Sequence, residues 1–283
     1  MSGKLINGKE IGNTIRQSIQ QEVNALKEQG IIPGLSVILV GDDPASHTYV
    51  SNKQKSCEKM GIYSELIKLS AEVTEETLLQ HIEQLNANPT IDGTLVQLPL
   101  PKHIDEQKVI AAISPEKDVD GFHPISVGKM LLKQPTFLPC TPFGVMKLLE
   151  HSNVDIAGKH AVVVGRSHIV GVPMGQLLLQ KDATVTYCHS KTPDLKAITT
   201  QADILVVATG RAKMIGVDHV KEGAVVIDVG MDRDENGKLC GDVDFDAIID
   251  KVSAITPVPG GVGPMTITML LFNTLQSAKK KLS

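Results

Sequence analysis

The sequence predicts an α/β protein of two αβ domains flanking a cleft, and three observations carry that prediction. Apolar runs of strand length alternate with helix-like segments, the pattern of parallel strands joined by crossover helices. The runs form two sets separated by a proline-rich stretch. The 283 residues, 42% hydrophobic and 21% charged, suit about two domains of ordinary soluble composition. With no Trp, three Tyr and five Phe, the core falls to Val, Ile, Leu, Ala and Met, as expected of strands covered on both faces.

In the first set, a strand over Leu35–Val40 leads into a helix from about Ala45 to Met60. A strand over Ser64–Leu69, a helix over Glu75–Asn86 and a strand over Gly93–Leu98 complete one βαβαβ unit. Ser114–Pro142 then carries five prolines around one short apolar piece, Ile125–Leu132, which reads as a hinge. In the second set, a strand over His160–Val164 passes through a glycine-containing turn into a helix over Pro173–Gln180. Strands follow at Thr184–Cys188, Ile204–Ala208 and Ala224–Val229. After a Pro/Gly cluster at Pro257–Pro264, apolar spacing and a lysine-rich end predict a terminal helix. The expected division is a domain over 1–141 completed by the helix at 264–283, and a second domain over 142–263.

Charge and cysteine content narrow the function. A net charge of -4 with no basic block beyond Lys279–Lys281 gives no footprint for nucleic acid. Cys57, Cys140, Cys188 and Cys240 lie far apart, without CxxC spacing, so neither a disulfide framework nor a metal site is expected. No stretch approaches the ~20 apolar residues of a membrane span, and the N-terminal segment lacks the apolar core of a secretion signal. A cytoplasmic protein without a membrane partner is the expectation.

Two regions carry candidate chemistry. Val162–Gly175 stands where a dinucleotide-binding fold places its phosphate turn, after a strand and before a helix. Gly165 and Gly171 permit close backbone approach, Pro173 suits a first helical turn, and a pyrophosphate would face the N–H groups of the helix start. The second domain is therefore expected to be Rossmann-like. The spacing departs from GxGxxG, since Ser167 occupies the second glycine position. An NAD-type site places an acid near the end of the second strand, but here that strand ends at Tyr187–Lys191 without one. Arg166, Ser167, Ser190 and Lys191 could instead surround a 2′-phosphate, which favours NADP; solvated loop charges are the other reading of Arg166 and Lys191.

In the first domain, Tyr49 and Lys53 share a helix face by their spacing of four. Their helix follows the carboxyl end of a strand, where parallel sheets bind ligands; a simple helix-face contact is the alternative. Gln97, a polar amide within Leu95–Pro101, must find partners, structural or functional. Asp120, at the hinge entry, reads as a ligand carboxylate or a turn cap.

Tyr49–Lys53, Val96–Pro101, Pro115–Phe122, Pro139–Pro142, Val164–Pro173 and Pro257–Thr266 together resemble, in order and over essentially the whole chain, the bifunctional methylenetetrahydrofolate dehydrogenase/cyclohydrolase family. Ser51, Asn52 and His168 vary within these motifs without removing a functional side chain. The resemblance implies NADP-dependent oxidation of 5,10-methylenetetrahydrofolate to 5,10-methenyltetrahydrofolate and hydrolysis of the latter to 10-formyltetrahydrofolate. It also implies tetrahydrofolate derivatives as ligands and a homodimer. Carried over by residue, it makes Lys53, Tyr49, Gln97 and Asp120 catalytic and assigns Gly165, Arg166, Ser167, Ser190 and Met231 to NADP. It adds Pro259, Gly260 and Gly261 to the substrate-binding set. Two other readings share part of this pattern: a shikimate-type dehydrogenase, which leaves the Gln97 and Asp120 motifs unexplained, and a non-enzymatic NADP-sensing module.

Overall fold

The computed structural model describes residues 3–282. In chain order it contains β1 (Lys4–Leu5), α1 (Gly8–Glu28), β2 (Gly34–Val40), α2 (Pro44–Met60), β3 (Tyr63–Leu69), α3 (Glu75–Ala87) and β4 (Gly93–Val96). Next come α4 (Glu106–Ala112), α5 (Pro124–Leu131), α6 (Cys140–His151), β5 (His160–Val164), α7 (Gly171–Leu179), β6 (Thr184–Cys188), α8 (Leu195–Thr199) and β7 (Ile204–Val207). The chain ends through β8 (Val225–Asp228), β9 (Asp232–Arg233), β10 (Leu239–Cys240), α9 (Phe245–Ile248), β11 (Ala254–Ile255) and α10 (Val262–Lys279). The elements form two compact units: Thr14–Leu138 with 267–282, and 3–13 with Pro139–Thr266.

The first unit is built on a parallel three-stranded sheet in the order β3-β2-β4. All seven residues of β2 are buried, as a central parallel strand covered on both faces requires. Ile38, Val40 and Val96 pack with Leu78, Ile82 and Leu85 of α3 and Val109 of α4. The later turns of α10 belong to this unit. Asn273 donates to the carbonyls of Val119 (2.8 Å) and Leu138 (3.1 Å), and Ser277 to that of Glu116 (3.0 Å). The three terminal lysines are structural anchors: Lys279 pairs with Glu22, Lys280 lies 4.6 Å from the Phe137 ring centre, and Lys281 pairs with buried Asp92 at 2.6 Å.

The second unit carries a six-stranded parallel sheet in the order β1-β11-β8-β7-β5-β6. Val162, Val164, Leu205, Val207 and Val226 form its centre with Val220, Ile248 and Ile255. The first thirteen residues were expected with the first domain, but 3–13 cluster here. The reason is backbone pairing, with Lys4 N–H donating to Ser253 O at 2.8 Å and Ile6 N–H to Ile255 O at 2.8 Å.

Two long helices escaped the sequence reading. In α1, Ile19, Val23 and Leu26 form a buried stripe at helical spacing, and the Asn7 side chain accepts from the N–H groups of Lys9 and Glu10 (3.1 and 3.3 Å), which is ordinary N-capping. α6 begins inside the segment read as hinge, because prolines at a helix start remove donors that have no helical partner anyway.

Candidate functional site

In the first unit, β2 is followed by Gly41, whose φ of 82° turns the chain in a region open mainly to glycine. Asp43 then caps α2, its carboxylate accepting from Ser46 N–H at 2.8 Å. The buried stripe of α2 is Ser46, Val50, Lys53 and Cys57, spaced four, three and four apart. Lys53 therefore occupies a core position, and is only 5% exposed. Its ammonium donates to Gln97 Oε1 at 3.0 Å and lies 5.4 Å from the centre of the Tyr49 ring, within the range of a cation–π contact.

Gln97 is fixed from three sides. Its N–H extends the ladder to Ile38 O (2.8 Å), and its side-chain amide donates to Leu98 O (2.8 Å). Because an ammonium can only donate, the amide oxygen must face Lys53. This answers the question left open for Gln97: its polar group serves Lys53 and the backbone together. Burial also pushes the Cys57 thiol, one helical turn from Lys53, up to about 12, against a smaller opposing influence of Ser64 and of the Lys53 charge.

The turn-cap role read for Asp120 falls to Asp118. The Asp118 carboxylate, 2% exposed, accepts from the N–H groups of Phe122 (3.1 Å) and His123 (2.9 Å). It closes the turn at Gly121, whose φ is 76°. Burial raises its carboxyl to about 6. With Asp118 as the cap, Asp120 is released from that duty. It lines a small recess with Thr94, Val96, Leu98, Ile110 and Phe122, half-buried and with no hydrogen bond to its carboxylate among the described residues.

The phosphate turn of the second unit is built differently. Gly165 has φ 135°, and a Cβ there would stand 2.3 Å from Ala208 O. A Cβ on Gly171 would stand 2.4 Å from Gly165 O. Both glycines are thus demanded by backbone proximity. The helix start itself is internally satisfied: Ser167 Oγ accepts from Val170 and Gly171 N–H (3.2 and 3.3 Å), Ser167 O from Val172 N–H (3.0 Å), and Pro173 has no donor. The expected set of free N–H groups at the helix start is therefore corrected. The exposed stretch Arg166–His168, before the helix, carries backbone N–H groups without a partner among the described residues.

Arg166 and Ser190 each stand two residues beyond a paired strand end, Val164 and Cys188 being in register, and both are exposed. A turn in which Lys191 N–H donates to His189 Nδ1 (3.1 Å) and His189 N–H to Thr192 Oγ1 (2.8 Å) presents Ser190. Met231, 54% exposed, reaches with its Cε to 3.1 Å from the Cβ position of Gly263. Pro259, Gly260 and Gly261 also lie in this unit. Gly260 has φ 112°, its carbonyl accepts from Lys9 N–H at 3.1 Å, and Gly261 leaves no room for a side chain against Pro257 O at 2.6 Å.

Sequence reading missed Asp228 and Asp242, which hold the loops beyond β7 and β8. Asp242 accepts from Thr209 and Arg211 N–H (2.6 and 2.7 Å), and Asp228 from Gly230, Asp242 and Val243 N–H (2.9, 3.0 and 3.0 Å). Burial raises the Asp228 carboxyl to about 7. The signal in the sequence for Asp228 is an acid closing an apolar strand; Asp242 follows Gly241 in a loop and has no such signal.

A six-stranded parallel sheet with a glycine-shaped turn after its strand β5 in one unit, and a buried lysine held by an amide in the other, define the class as a dinucleotide-binding α/β protein. The description "Tetrahydrofolate dehydrogenase/cyclohydrolase, catalytic domain" matches residues 6–120, and its NAD(P)-binding domain matches 139–282. The chain belongs to the tetrahydrofolate dehydrogenase/cyclohydrolase family. It is 70% identical over 100% of both chains to the Bifunctional protein FolD of Lysinibacillus sphaericus. The crystal structure of a bifunctional methylenetetrahydrofolate dehydrogenase/cyclohydrolase from Campylobacter jejuni superposes with TM-score 0.97 at 50% identity, covering 99% of this chain and 100% of that one. A Trypanosoma brucei N5,N10-methylenetetrahydrofolate dehydrogenase-cyclohydrolase, complexed with NADP cofactor and inhibitor, gives TM-score 0.96 at 40% identity over 100% of this chain and 99% of that one.

Proposed function

We propose that this chain oxidises 5,10-methylenetetrahydrofolate with NADP and hydrolyses the resulting 5,10-methenyltetrahydrofolate to 10-formyltetrahydrofolate. The observation that carries the proposal is the buried Lys53 ammonium held at 3.0 Å by Gln97. A charge kept on the core stripe of a helix costs desolvation and is retained where a proton must be held in a fixed place.

The first unit binds the pterin. Its amino-pyrimidinone edge offers parallel N–H donors, and the Asp120 carboxylate, free of capping duty, accepts two of them. Tyr49 covers the folate from the helix face. In the hydrolytic half, water adds to the methenyl carbon and loses one proton. The hydroxyl so formed gives up its remaining proton as the bond from that carbon to N5 breaks, and N5 takes up a proton, so that one proton is released overall. Lys53 is the group placed to hold or exchange that proton, and Gln97 keeps its ammonium oriented.

The second unit takes the dinucleotide. A backbone that excludes any Cβ at Gly165 and Gly171, with an exposed Arg–Ser pair between them, fits a pyrophosphate at the N–H groups of 166–168, unpartnered among the described residues, and a 2′-phosphate at Arg166. When bound, NADP accepts the hydride from the substrate carbon, and the protein supplies position and electrostatics. Arg166, Ser167 and Ser190 would hold the phosphates, Met231 would join them in the nucleotide-binding set, and Pro259, Gly260 and Gly261 would belong to the substrate-binding set. The assignment of 1–141 with 264–283 to folate and 142–263 to NADP is adjusted at the N-terminus by the pairing of β1.

The proposal includes a cytoplasmic location without membrane or nucleic-acid partners; among the described residues no helix is long and apolar enough to cross a membrane. A homodimer follows from the family resemblance, and light scattering on the purified chain tests it. The decisive assay adds 5,10-methylenetetrahydrofolate and NADP and follows NADPH formation, then the loss of methenyl absorbance. Nucleotide binding with neither signal would leave a sensing module instead.

A further inference from the structure

Tyr187 of β6 and Gly175 of α7 form a contact that the reaction chemistry does not explain. A Cβ on Gly175 would stand 2.2 Å from Tyr187 Oη, 2.3 Å from Cζ and 2.6 Å from Cε1, so the ring lies across the space that any other residue's side chain would fill. The Tyr187 hydroxyl donates to Val172 O at 2.9 Å, a carbonyl in the first turn of α7. Val172 N–H in turn donates to Ser167 O at 3.0 Å. The next residue in β6, Cys188, accepts from Gly165 N–H at 2.9 Å through its carbonyl. One strand therefore grips both ends of the Gly165–Gly171 turn, by main chain at Gly165 and by the Tyr187 hydroxyl at the helix start.

We propose that Tyr187, seated on Gly175, is a positioning residue for the dinucleotide: it fixes the first turn of α7, and through Ser167 the turn that presents Arg166. The other restraints on the helix start are local, among them Met174 N–H donating to Val170 O at 2.8 Å. Pro173 lacks a donor, the Val170 and Gly171 N–H groups reach only Ser167 Oγ at 3.2 and 3.3 Å, and Arg166–His168 are exposed. A preformed turn spares the ordering that binding would otherwise require. The inference rests on the reading of that turn as the NADP site.

Three variants and a cycle test it, each assayed for NADP KM and kcat in the dehydrogenase reaction and for cyclohydrolase rate without nucleotide. Tyr187→Phe loses one hydrogen bond and should raise NADP KM about three- to tenfold, with cyclohydrolase rate and dehydrogenase kcat held. Gly175→Ala should raise KM further, because its Cβ displaces the ring. In the Tyr187→Ala background the same Gly175→Ala change should add almost nothing, the non-additivity expected of a contacting pair. Additive effects, an unchanged KM in Tyr187→Phe, or a parallel loss of cyclohydrolase activity would each overturn the proposal. Arg166→Ala, run alongside, separates the two levels. If it raises NADP KM and Tyr187→Phe does not, only the positioning role fails, whereas if neither does, the reading of the turn fails with it.

Discussion

The two candidate sites in this chain are prepared in opposite ways. The first is made of side chains that are already engaged: Lys53 is buried and bonded to Gln97, Gln97 is held by Ile38 and Leu98, and the turn carrying Asp120 is closed by Asp118. The second is made of backbone shape. Gly165 and Gly171 exclude side chains, while Arg166, Ser167 and Ser190 stand in solvent. A group that must hold a proton at one atom gains from rigid burial and fixed partners. A loop that must admit and release a large anion keeps its charged groups wet and invests its order in the main chain.

The comparison predicts its own largest effect at Lys53. Lys53→Met should lower cyclohydrolase activity about 10²- to 10⁴-fold, while dehydrogenase activity falls less and folate still binds through Asp120. Paired kinetics on one preparation measure this, and hydrolysis near the parent rate would return Tyr49 and Lys53 to a helix-face contact. At the backbone site the corresponding change is Gly165→Ala. A φ of 135° with a Cβ 2.3 Å from Ala208 O should cost about 3 kcal/mol of stability and abolish nucleotide binding. Chemical denaturation and nucleotide titration report the two losses.

Each region also holds a buried acid, and their ionisation sharpens the contrast. Burial raises Asp118 to about 6 and Asp228 to about 7, above the ~3.9 of an unfolded aspartate. The neutral form is favoured in the fold, so the stability that protonation supplies is complete below the unfolded value and is lost as pH rises through 6 and 7. Unfolding free energy should therefore fall between pH 5 and 8, on the order of 2–4 kcal/mol for the two together. Thermal melts at the two pH values test the sign. A higher midpoint at pH 8 would contradict it.

Among the losses predicted by comparing the two sites, that of Arg166→Ala is the smallest. An exposed charge-assisted contact to a 2′-phosphate is worth ~1.5–3 kcal/mol, roughly tenfold to a hundredfold in NADP affinity, with NAD affected far less. Equal losses for both nucleotides would mean that Arg166 supports the turn without reading the phosphate.

Much of this was legible before any coordinates, and the exceptions have physical causes. β2, β5 and β7 announced themselves as apolar runs because a central parallel strand has no wet face. α1 was overlooked because its apolar positions, four and three apart, are diluted by Gln, Glu and Lys on a broad exposed face, and α6 because its prolines read as hinge residues. Lys53 could have been singled out on sequence alone as a charge in register with Val50 and Cys57. Asp118 and Asp120 could not be told apart there, since two acids in one short segment differ only in which of them finds the N–H groups of Phe122 and His123.

The sequence by itself determined the alternation of strands and helices, the glycines at the phosphate turn and the lack of an acid near Ser190, because period, glycine and charge act over short stretches of chain. Tertiary structure alone decided that 3–13 join the six-stranded sheet, that the terminal lysines anchor on Glu22, Phe137 and Asp92, and that Ser167 uses up the helix-start donors. Those outcomes depend on which partner the packed chain places beside each group, and a residue's type fixes what it can bond but not what folding brings beside it.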